Sequence, residues 1–294
     1  YQNRPSYAQF MSQWLGGFFM AGKKYVNTEL QNQKWLREGR GSGHGSDYKP
    51  WLTVRDLSSQ GRSHRVFGHK SQRTHHLLSD LELAVFLLLE WSRSTVDIRE
   101  QFPLRLEDTK ALALESGIDH PSVRGVLQVM SSDFLVNTTD ASQPKFALQA
   151  KYAEALSDAR TIEKLELERR YWLQKGVPWW LITEKDIPSV VTQNISWLYP
   201  AQRDEIEIDV LMERAAFYQH HFQNDPDRNV IEVAKQLDTA YQQPMGQSLL
   251  EIRQLLAQRC FLFDILTPVT KLKAGDLQLE NIEAMSGALR VSNQ

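Results

Sequence analysis

The sequence contains very little cysteine and no long hydrophobic run. Cys260 is the single cysteine among 294 residues, so no disulfide can form within the chain and a reducing compartment is expected. No stretch reaches the roughly eighteen consecutive apolar residues that a membrane-spanning helix needs. The longest run, residues 83–89, is short enough to be a helix in a protein core. These absences predict a cytoplasmic protein that does not enter a membrane.

The first residues also lack the features of a secretion signal. Residues 1–19 contain neither a basic segment that leads into an apolar run nor a small-residue cleavage site. We treat residues 1–19 as an extension of unknown role, and we expect Met20 to be the natural start.

The net charge is only −2, but the charges are unevenly distributed along the chain. Residues 1–80 contain twelve Lys or Arg against five Asp or Glu, whereas the remaining residues contain 22 against 31. A basic N-terminal segment indicates a polyanionic partner, and DNA is the first hypothesis. An ordinary solvated surface is the alternative.

One stretch combines a predicted hairpin with polar side chains suited to phosphate chemistry. Residues 134–136 and 146–148 favour strands and flank a cluster of turn formers, which predicts a β-hairpin. Asp133 opens the first strand, and Gln149 and Lys151 close the second, where side chains two residues apart share a face. The carboxylate and the amide oxygen are ligands that Mg²⁺ prefers, and the ammonium can stabilise charge that develops on a phosphate. The pattern therefore fits metal-assisted phosphodiester hydrolysis; an ordinary strand end with an exposed edge lysine is the alternative.

Glu82 has two possible roles at the start of a predicted helix. Ser79 and Glu82 fit the capping-box pattern Ser-x-x-Glu, which predicts a helix from Ser79 to about Trp91. The second role is that of a metal-binding carboxylate at the helix N-terminus. Because a carboxylate has two oxygens, the two roles compete without excluding each other.

A glycine-rich loop and a short basic segment supply candidate DNA contacts. Residues 39–45, GRGSGHG, contain Arg40 and His44 but lack the preceding strand and the Lys-Ser/Thr pair of a P-loop, which argues against nucleotide binding. A basic loop that contacts a DNA backbone and a plain linker both remain open. Residues 61–65, GRSHR, add Arg62 and Arg65 as candidate contacts.

The order of the predicted elements divides the chain into two domains. Residues 20–186 mix helices and strands, which is typical of an α/β layer with a mixed sheet. Apart from the hairpin, the elements predicted there are helices at 28–38, 79–91 and 158–175, strands at 51–54, 65–67, 95–102 and 177–182, a loop with a short helix at 105–120, and a helix that starts at 183–186.

Residues 187–294 are predicted to be mainly helical. Three helices, at 203–222, 228–242 and 246–259, precede strands at 260–266 and 277–282, which is the order of a winged helix. The third helix has few basic residues for reading DNA, so protein contact is at least as good an interpretation.

Several long ungapped blocks of the sequence resemble one known family. The blocks are EGRGSGHGSDYKPWLTV at 38–54, GRSHR at 61–65, HHLLSDLELAVFL at 75–87, DIREQFPL at 97–104, SDFLV at 132–136 and EKLELERRYW at 163–172. They resemble the TnsA family, the endonuclease subunits of heteromeric bacterial transposases. The resemblance extends over roughly residues 20–290 and is densest before residue 200.

The resemblance implies a fold and an active site. It implies a restriction-endonuclease-like N-terminal domain and a winged-helix-like C-terminal domain. It also implies a site formed by Glu82, Asp133, Gln149 and Lys151, in which the first three bind two Mg²⁺ ions, replaceable by Mn²⁺, and Lys151 lies near the attacking water. Gln149 stands where related nucleases usually carry an acid. Glu168 is a candidate additional acid, although a salt bridge on a helix surface is the favoured role for it.

The resemblance also implies a reaction and partners. The chain would cut the 5′, non-transferred strands of double-stranded transposon ends, while a TnsB-like transposase handles the 3′ ends. A TnsC-like ATPase regulator would contact the C-terminal domain. Two alternatives remain: a stand-alone repair or restriction nuclease of the same fold, and a non-catalytic subunit that bridges transposase and regulator.

Overall fold

The computed structural model describes residues 28–56 and 62–280. This part of the chain contains eight α-helices: α1 Glu29–Arg37, α2 Asp80–Trp91, α3 Leu106–Ser116, α4 Ala159–Gln174, α5 Ser189–Leu198, α6 Ile208–Asn224, α7 Val230–Ala240 and α8 Gln247–Ala257. It also contains ten strands: β1 His64–Gly68, β2 Arg73–Leu77, β3 Thr95–Pro103, β4 Ser122–Val123, β5 Val126–Leu127, β6 Ser131–Thr138, β7 Lys145–Ala150, β8 Trp179–Ile182, β9 Phe261–Leu262 and β10 Gln278–Leu279. The extension at residues 1–19 and the last two residues of the final predicted strand, 281–282, lie outside the described residues.

A four-stranded mixed sheet forms the centre of the first half. Its strand order is β3-β6-β7-β8. The pairs β3–β6 and β6–β7 are antiparallel, whereas β7 and β8 are parallel and are connected through α4, because a parallel pair needs a crossover. The predicted mixed sheet is confirmed, and so is the predicted hairpin, which β6 and β7 form.

Helices cover both faces of this sheet. Neighbouring side chains of β6 enter different cores: Phe134 and Val136 pack with α2 and α5, whereas Leu135 packs with α3 and α4. Burial on both faces explains why β6 contains a continuous apolar run rather than an alternating pattern.

Residues 41–51 lie along β3, one of the two edge strands of the sheet. Gly41 lies so close to β3 that a Cβ at this position would be 2.1 Å from the Pro103 ring. Farther along, the Trp51 N–H donates to the carbonyl of Gln101 (3.1 Å). An edge strand covered in this way is protected from pairing with other chains.

Two local predictions are wrong and a third underestimates a helix. The strand expected at residues 51–54 is a turn, which the Asp56 carboxylate closes. The helix expected to begin at residues 183–186 is a turn of the same kind, and α5 begins only after Pro188, since the residue before a proline is disfavoured in helical conformation. Residues 105–120 are mostly the helix α3 rather than a loop.

The second half has a core of its own. Helices α6, α7 and α8 enclose it, and β9 and β10 pair antiparallel, so the predicted order of three helices and a two-stranded ribbon is confirmed. Helix α5 lies between the two cores, because Val191 and Ile195 pack on the sheet side whereas Leu198 packs with α6–α8. No helix in the described part of the chain is long and apolar enough to cross a membrane.

Candidate active site

Strands β6 and β7 place Asp133 and Gln149 opposite each other. The register that pairs Phe134 with Leu148 determines this position. The Asp133 N–H donates to Gln149 Oε1 (3.1 Å), and Gln149 Nε2 donates to Asp133 Oδ2 (2.8 Å). The same Oδ2 accepts from the Ala150 N–H (2.8 Å). Three hydrogen bonds therefore hold the two side chains against the sheet.

Glu82 enters the site from the first turn of α2. Its backbone N–H donates to Ser79 Oγ (3.1 Å), so the predicted N-cap at Ser79 is confirmed. The Glu82 side chain departs from the usual capping box, since its Oε2 accepts from the Leu78 N–H (2.8 Å) and its Oε1 from the Ser79 hydroxyl (3.1 Å). These bonds fix the carboxylate while the helix cap stays intact.

Gln101, on β3, connects the two carboxylates. Its Nε2 donates to Glu82 Oε2 (3.3 Å) and to Asp133 Oδ1 (3.2 Å), while its Oε1 accepts from the Ser131 hydroxyl (3.2 Å). The residue is 2% exposed and has a φ of 47°, which is uncommon for a residue other than glycine. The sequence alone does not indicate the role of Gln101, because a glutamine in a predicted strand carries no signal of this backbone conformation.

The acids and the lysine influence one another strongly. Burial, followed by the charge of Asp133, raises the pKa of Glu82 to about 8. Burial alone would lower the pKa of Lys151, but the charges of Asp133, Glu168 and Glu82 outweigh it and raise that pKa. Lys151 therefore remains an ammonium among the acids, which is the form that stabilises negative charge on a phosphate.

Glu168, on α4, is a buried member of the same group. Ser132 Oγ (2.6 Å) and Trp179 Nε1 (2.9 Å) both donate to its Oε1, and burial raises the pKa of Glu168 to about 8. The surface salt bridge favoured for this residue is wrong, since only 3% of Glu168 is exposed. The signal in the sequence was its helical spacing with the buried Leu165 and Trp172.

A cleft of about 530 Å³ is lined by three of these residues, Gln149, Lys151 and Glu168. It is bounded by the first half of α4, by the β4–β5 hairpin and by the end of β7, where Gln149 and Lys151 lie. Arg160 and Lys164 line it from α4. A cleft lined by the three basic residues Lys151, Arg160 and Lys164 suits a polyanionic substrate.

The residues predicted to contact DNA lie elsewhere in the described chain. None of the residues that line this cleft is among the four, which are Arg40, His44, Arg62 and Arg65. The Arg40 guanidinium lies over the Trp35 ring (4.1 Å) and bonds to Asp56 (2.7 Å), so it supports the fold. His44 Nδ1 lies 3.4 Å from Asp97 Oδ2. Arg62, just before β1, and Arg65, within it, are exposed. DNA contact by these four residues stays a prediction.

The side chains of the site fit a hard divalent cation. Within the described residues, no three His, Cys, Asp or Glu side chains form a metal-binding group, so the site offers two carboxylates and the Gln149 amide. Gln149 Oε1 accepts the Asp133 N–H, which leaves one of its two lone pairs for another partner. A cation would relieve the repulsion between Glu82 and Asp133, and oxygen ligands suit Mg²⁺ and Mn²⁺.

The fold and the site together define a class of protein. Two carboxylates and an amide oxygen joined by hydrogen bonds, next to a buried ammonium that lines a cleft, are the groups that a metal-assisted nuclease uses on phosphodiesters. This combination of groups is typical of a nuclease.

Comparisons with known proteins specify the family. Residues 92–184 match the family model of the TnsA-like endonuclease N terminal, and residues 186–265 match that of the TnsA endonuclease C terminal. The chain is 50% identical, over 266 residues, to the transposon Tn7 transposition protein TnsA of Escherichia coli. The aligned region covers 90% of this chain and 97% of that protein. The chain belongs to the TnsA family and is a DNA endonuclease subunit of a transposase, as the resemblance implied.

Proposed function

We propose that this chain is the Mg²⁺-dependent subunit that cuts the 5′, non-transferred strands at double-stranded transposon ends. The observation that supports the proposal most directly is the hydrogen-bonded group of Asp133 and Gln149, which Gln101 connects to Glu82, with Lys151 beside it at the cleft. The proposal extends the family assignment to a metal, a strand and a set of residues.

Each residue has a distinct role in this proposal. Asp133 is the central metal-binding carboxylate, and Glu82 and Gln149 complete the ligands for two Mg²⁺ ions, which Mn²⁺ can replace. The bound metal supplies Lewis-acid polarisation of the phosphate and a water of lowered pKa. Lys151 donates hydrogen bonds to the scissile phosphate and orients the attacking water. Gln101 holds the two carboxylates in position.

We also propose the finer fold assignments. A four-stranded mixed sheet that carries its acids on a central hairpin supports a restriction-endonuclease-like domain at residues 20–186. Three helices followed by a β-ribbon support a winged-helix-like domain at residues 187–294.

The charged side chains of α8 and its end support a protein-binding role for the second half. Arg253 Nε donates to the carbonyl of Trp197 (2.6 Å), and Arg259 donates to the carbonyl of Trp91. Glu251 accepts from a tyrosine hydroxyl. Because these groups are engaged within the fold, this helix offers little to a DNA groove. We propose that this half contacts a TnsC-like regulator, and that the whole chain acts with a TnsB-like transposase.

The test compares two Asp→Asn variants on transposon-end duplexes, with and without Mg²⁺ and the partner transposase. Asp133→Asn should reduce 5′-strand cleavage more than about 100-fold, because even indirect partners of a metal ligand are worth about 10–100-fold. Asp140→Asn is the matched control on the exposed loop of the same hairpin, and it should cut at the wild-type rate. Cleavage by Asp133→Asn at that rate would overturn the site assignment.

The same assay separates the two alternatives. Efficient cutting by the purified chain alone, with its own sequence preference, would indicate a stand-alone nuclease. Assembly with transposase and regulator, without any cutting by the wild-type chain, would indicate a purely structural subunit.

A further inference from the structure

We propose that the β4–β5 hairpin is a DNA-contacting arm, and that Arg124 at its tip binds a backbone phosphate of the DNA that enters the cleft. The inference rests on the proposed endonuclease function, because it assigns part of the path of the same substrate. Arg124 is not among the residues that sequence analysis selected.

The backbone at the tip is unfavourable for the residue that occupies it. Val123 pairs with Val126, so the loop consists of two residues, Arg124 and Gly125, with φ of 52° and 80°. Two positive φ values identify a type I′ turn, in which Asn-Gly is strongly preferred. An arginine in the left-handed region is strained, and such residues are concentrated at functional sites.

The position of the hairpin relates the tip to the active site. Ser122 and Val123 line the cleft together with Gln149, Lys151 and other residues of the site. Arg124 therefore follows directly after a residue of the cleft wall. A backbone bond from the N–H of residue 128 to the carbonyl of residue 121 (2.8 Å) closes the base of the hairpin. The exit strand then leads into β6, which carries Asp133.

The charge of Arg124 is available to an external partner. Its side chain is exposed, and within the described part of the chain it takes part in no hydrogen bond, ion pair or ring contact. Arg160, which lines the cleft, differs because it bonds to Glu163 (2.6 Å) and to the carbonyl of Asp119 (2.6 Å). A guanidinium matches the geometry and charge of a phosphate group, and Arg124 carries one directly after the cleft-lining Val123.

Arg124→Asn is the decisive variant, because it removes the positive charge while the hairpin should keep its conformation. The substitution creates Asn-Gly, the dipeptide that a type I′ turn prefers, so the melting temperature should stay equal or rise. DNA binding should weaken, and the slope of log affinity against log salt should decrease by about 0.9, the value of one phosphate contact on B-DNA. Arg124→Lys should retain the salt slope, since a lysine also pairs with a phosphate.

DNA binding is measured on the full chain carrying Asp133→Asn, so that cutting does not interfere. The DNA is a transposon-end duplex, and the partner transposase is present. Arg169→Gln removes the same charge from the exposed face of α4, where Arg169 is bonded to Glu166 (2.7 Å), and it should leave the salt slope unchanged. Cleavage by the protein with Asp133 intact is recorded in parallel.

The outcomes distinguish this proposal from the one on which it rests. Suppose that the wild-type protein cuts DNA and that Arg124→Asn leaves the DNA affinity and the salt slope unchanged. This result would overturn the proposed DNA contact of the hairpin, and the endonuclease function would still hold. Loss of transposase binding with unchanged DNA affinity would also overturn that DNA contact, because Arg124 would then contact protein. A wild-type protein that cuts nothing would overturn the endonuclease function itself.

Discussion

Two carboxylates can lie close together in a protein interior only if donors or cations surround them. Asp133 takes donors from β7, and Glu82 takes donors from the start of its own helix. Gln101 donates to both from a single nitrogen. The Nε2 group of Gln101 thus lies between the acids, in a position that a cation would also favour, so a bound cation and this amide would compete for the same two carboxylates.

Gln101→Met tests this coupling at the scale of one side chain. Methionine is similar in length but donates no hydrogen bond, so two buried acceptors lose a partner. In metal-free buffer the free energy of unfolding should fall by about 1–3 kcal/mol, as measured by urea denaturation. Added Mg²⁺ should stabilise the variant more than the wild type, because no amide then competes with the ion for the carboxylates.

Gln72→Met is the matched control for this experiment. Gln72 also has a positive φ (53°), but it is exposed and its Nε2 donates to the carbonyl of His69 (2.6 Å). The control should change stability by less than about 1 kcal/mol, as surface substitutions usually do, and should leave the response to Mg²⁺ unaltered. Equal Mg²⁺ stabilisation of wild type and Gln101→Met would show that Gln101 does not compete with metal.

The residues of the site differ in how far the sequence could predict their placement. Asp133 and Gln149 were expected to lie together, because side chains alternate along the strands of a hairpin with a two-residue period and the hairpin brings its two strands side by side. The placement of Glu82 near them required a contact between a helix start and a sheet, for which only the family resemblance gave guidance. Gln101 could not be predicted, since its role arises from a local left-handed backbone conformation in β3.

At the scale of elements, a buried polar network attaches the β1–β2 hairpin to β3. Ser71 Oγ bonds to His75 Nε2 (2.5 Å), and His75 Nδ1 bonds to Glu100 Oε2 (2.8 Å). Arg73 donates to both oxygens of the same carboxylate. A Ser-His-Glu chain has the order of a hydrolytic triad, but all three residues are buried, so the network fixes one element on another.

This network makes a prediction about acid stability. Burial alone would raise the pKa of Glu100, but the charge of His75 and the bonds from Arg73 and His75 outweigh it and lower the pKa from 4.5 to about 2. The stabilisation is therefore present above pH 4.5 and is lost as the pH falls from about 4.5 to about 2. The loss should be on the order of 2–3 kcal/mol, measured as the free energy of unfolding at each pH.

Glu100→Gln should lose most of the pH dependence in this interval, and it should be less stable at pH 7 because Arg73 then lacks its buried partner. Glu107→Gln, on the exposed first turn of α3, is the control and should follow the wild-type profile. A wild-type protein whose stability does not change between pH 4.5 and 2.5 would contradict the assignment.

Some helices and strands could be predicted from the sequence and others could not, for physical reasons. The helix α2 has a strong N-cap at Ser79, and the hairpin of β6 and β7 has strand-forming residues on both sides of a cluster of turn residues. The apolar residues 51–54 resemble a strand but pack beside β3 in a turn, with Trp51 almost fully buried, because tertiary contacts override local preference. The β4–β5 hairpin has strands of only two residues each, too short for any pattern to indicate.

At the scale of the whole molecule, α5 joins the two halves. Asn194 Nδ2 donates to the carbonyls of Ile265 and Thr267 (both 2.8 Å), which attaches the helix to the second half. Val191 and Ile195 pack into the core on the sheet side. The boundary proposed between residues 186 and 187 therefore assigns to one domain a helix that both halves use.

This shared helix determines how the chain should behave when it is divided. A 187–294 fragment retains α5 and its Asn194 bonds, and it should fold alone. A 20–186 fragment loses the cover that α5 gives to the sheet. Burial of Val191 and Ile195 is worth about 1.5–3 kcal/mol each, which is a large share of the roughly 5–15 kcal/mol that stabilises a typical domain.

The final prediction is that the N-terminal fragment needs α5 to be stable. A 20–203 fragment should melt cooperatively, whereas 20–186 should melt at a much lower temperature or remain partly unfolded, as measured by circular dichroism. Ile195→Ala in the longer fragment should cost about 2–5 kcal/mol and bring its melting temperature part of the way down. Equal melting temperatures for 20–186 and 20–203 would show that the sheet core is complete without α5 and that the boundary after residue 186 is also a physical one.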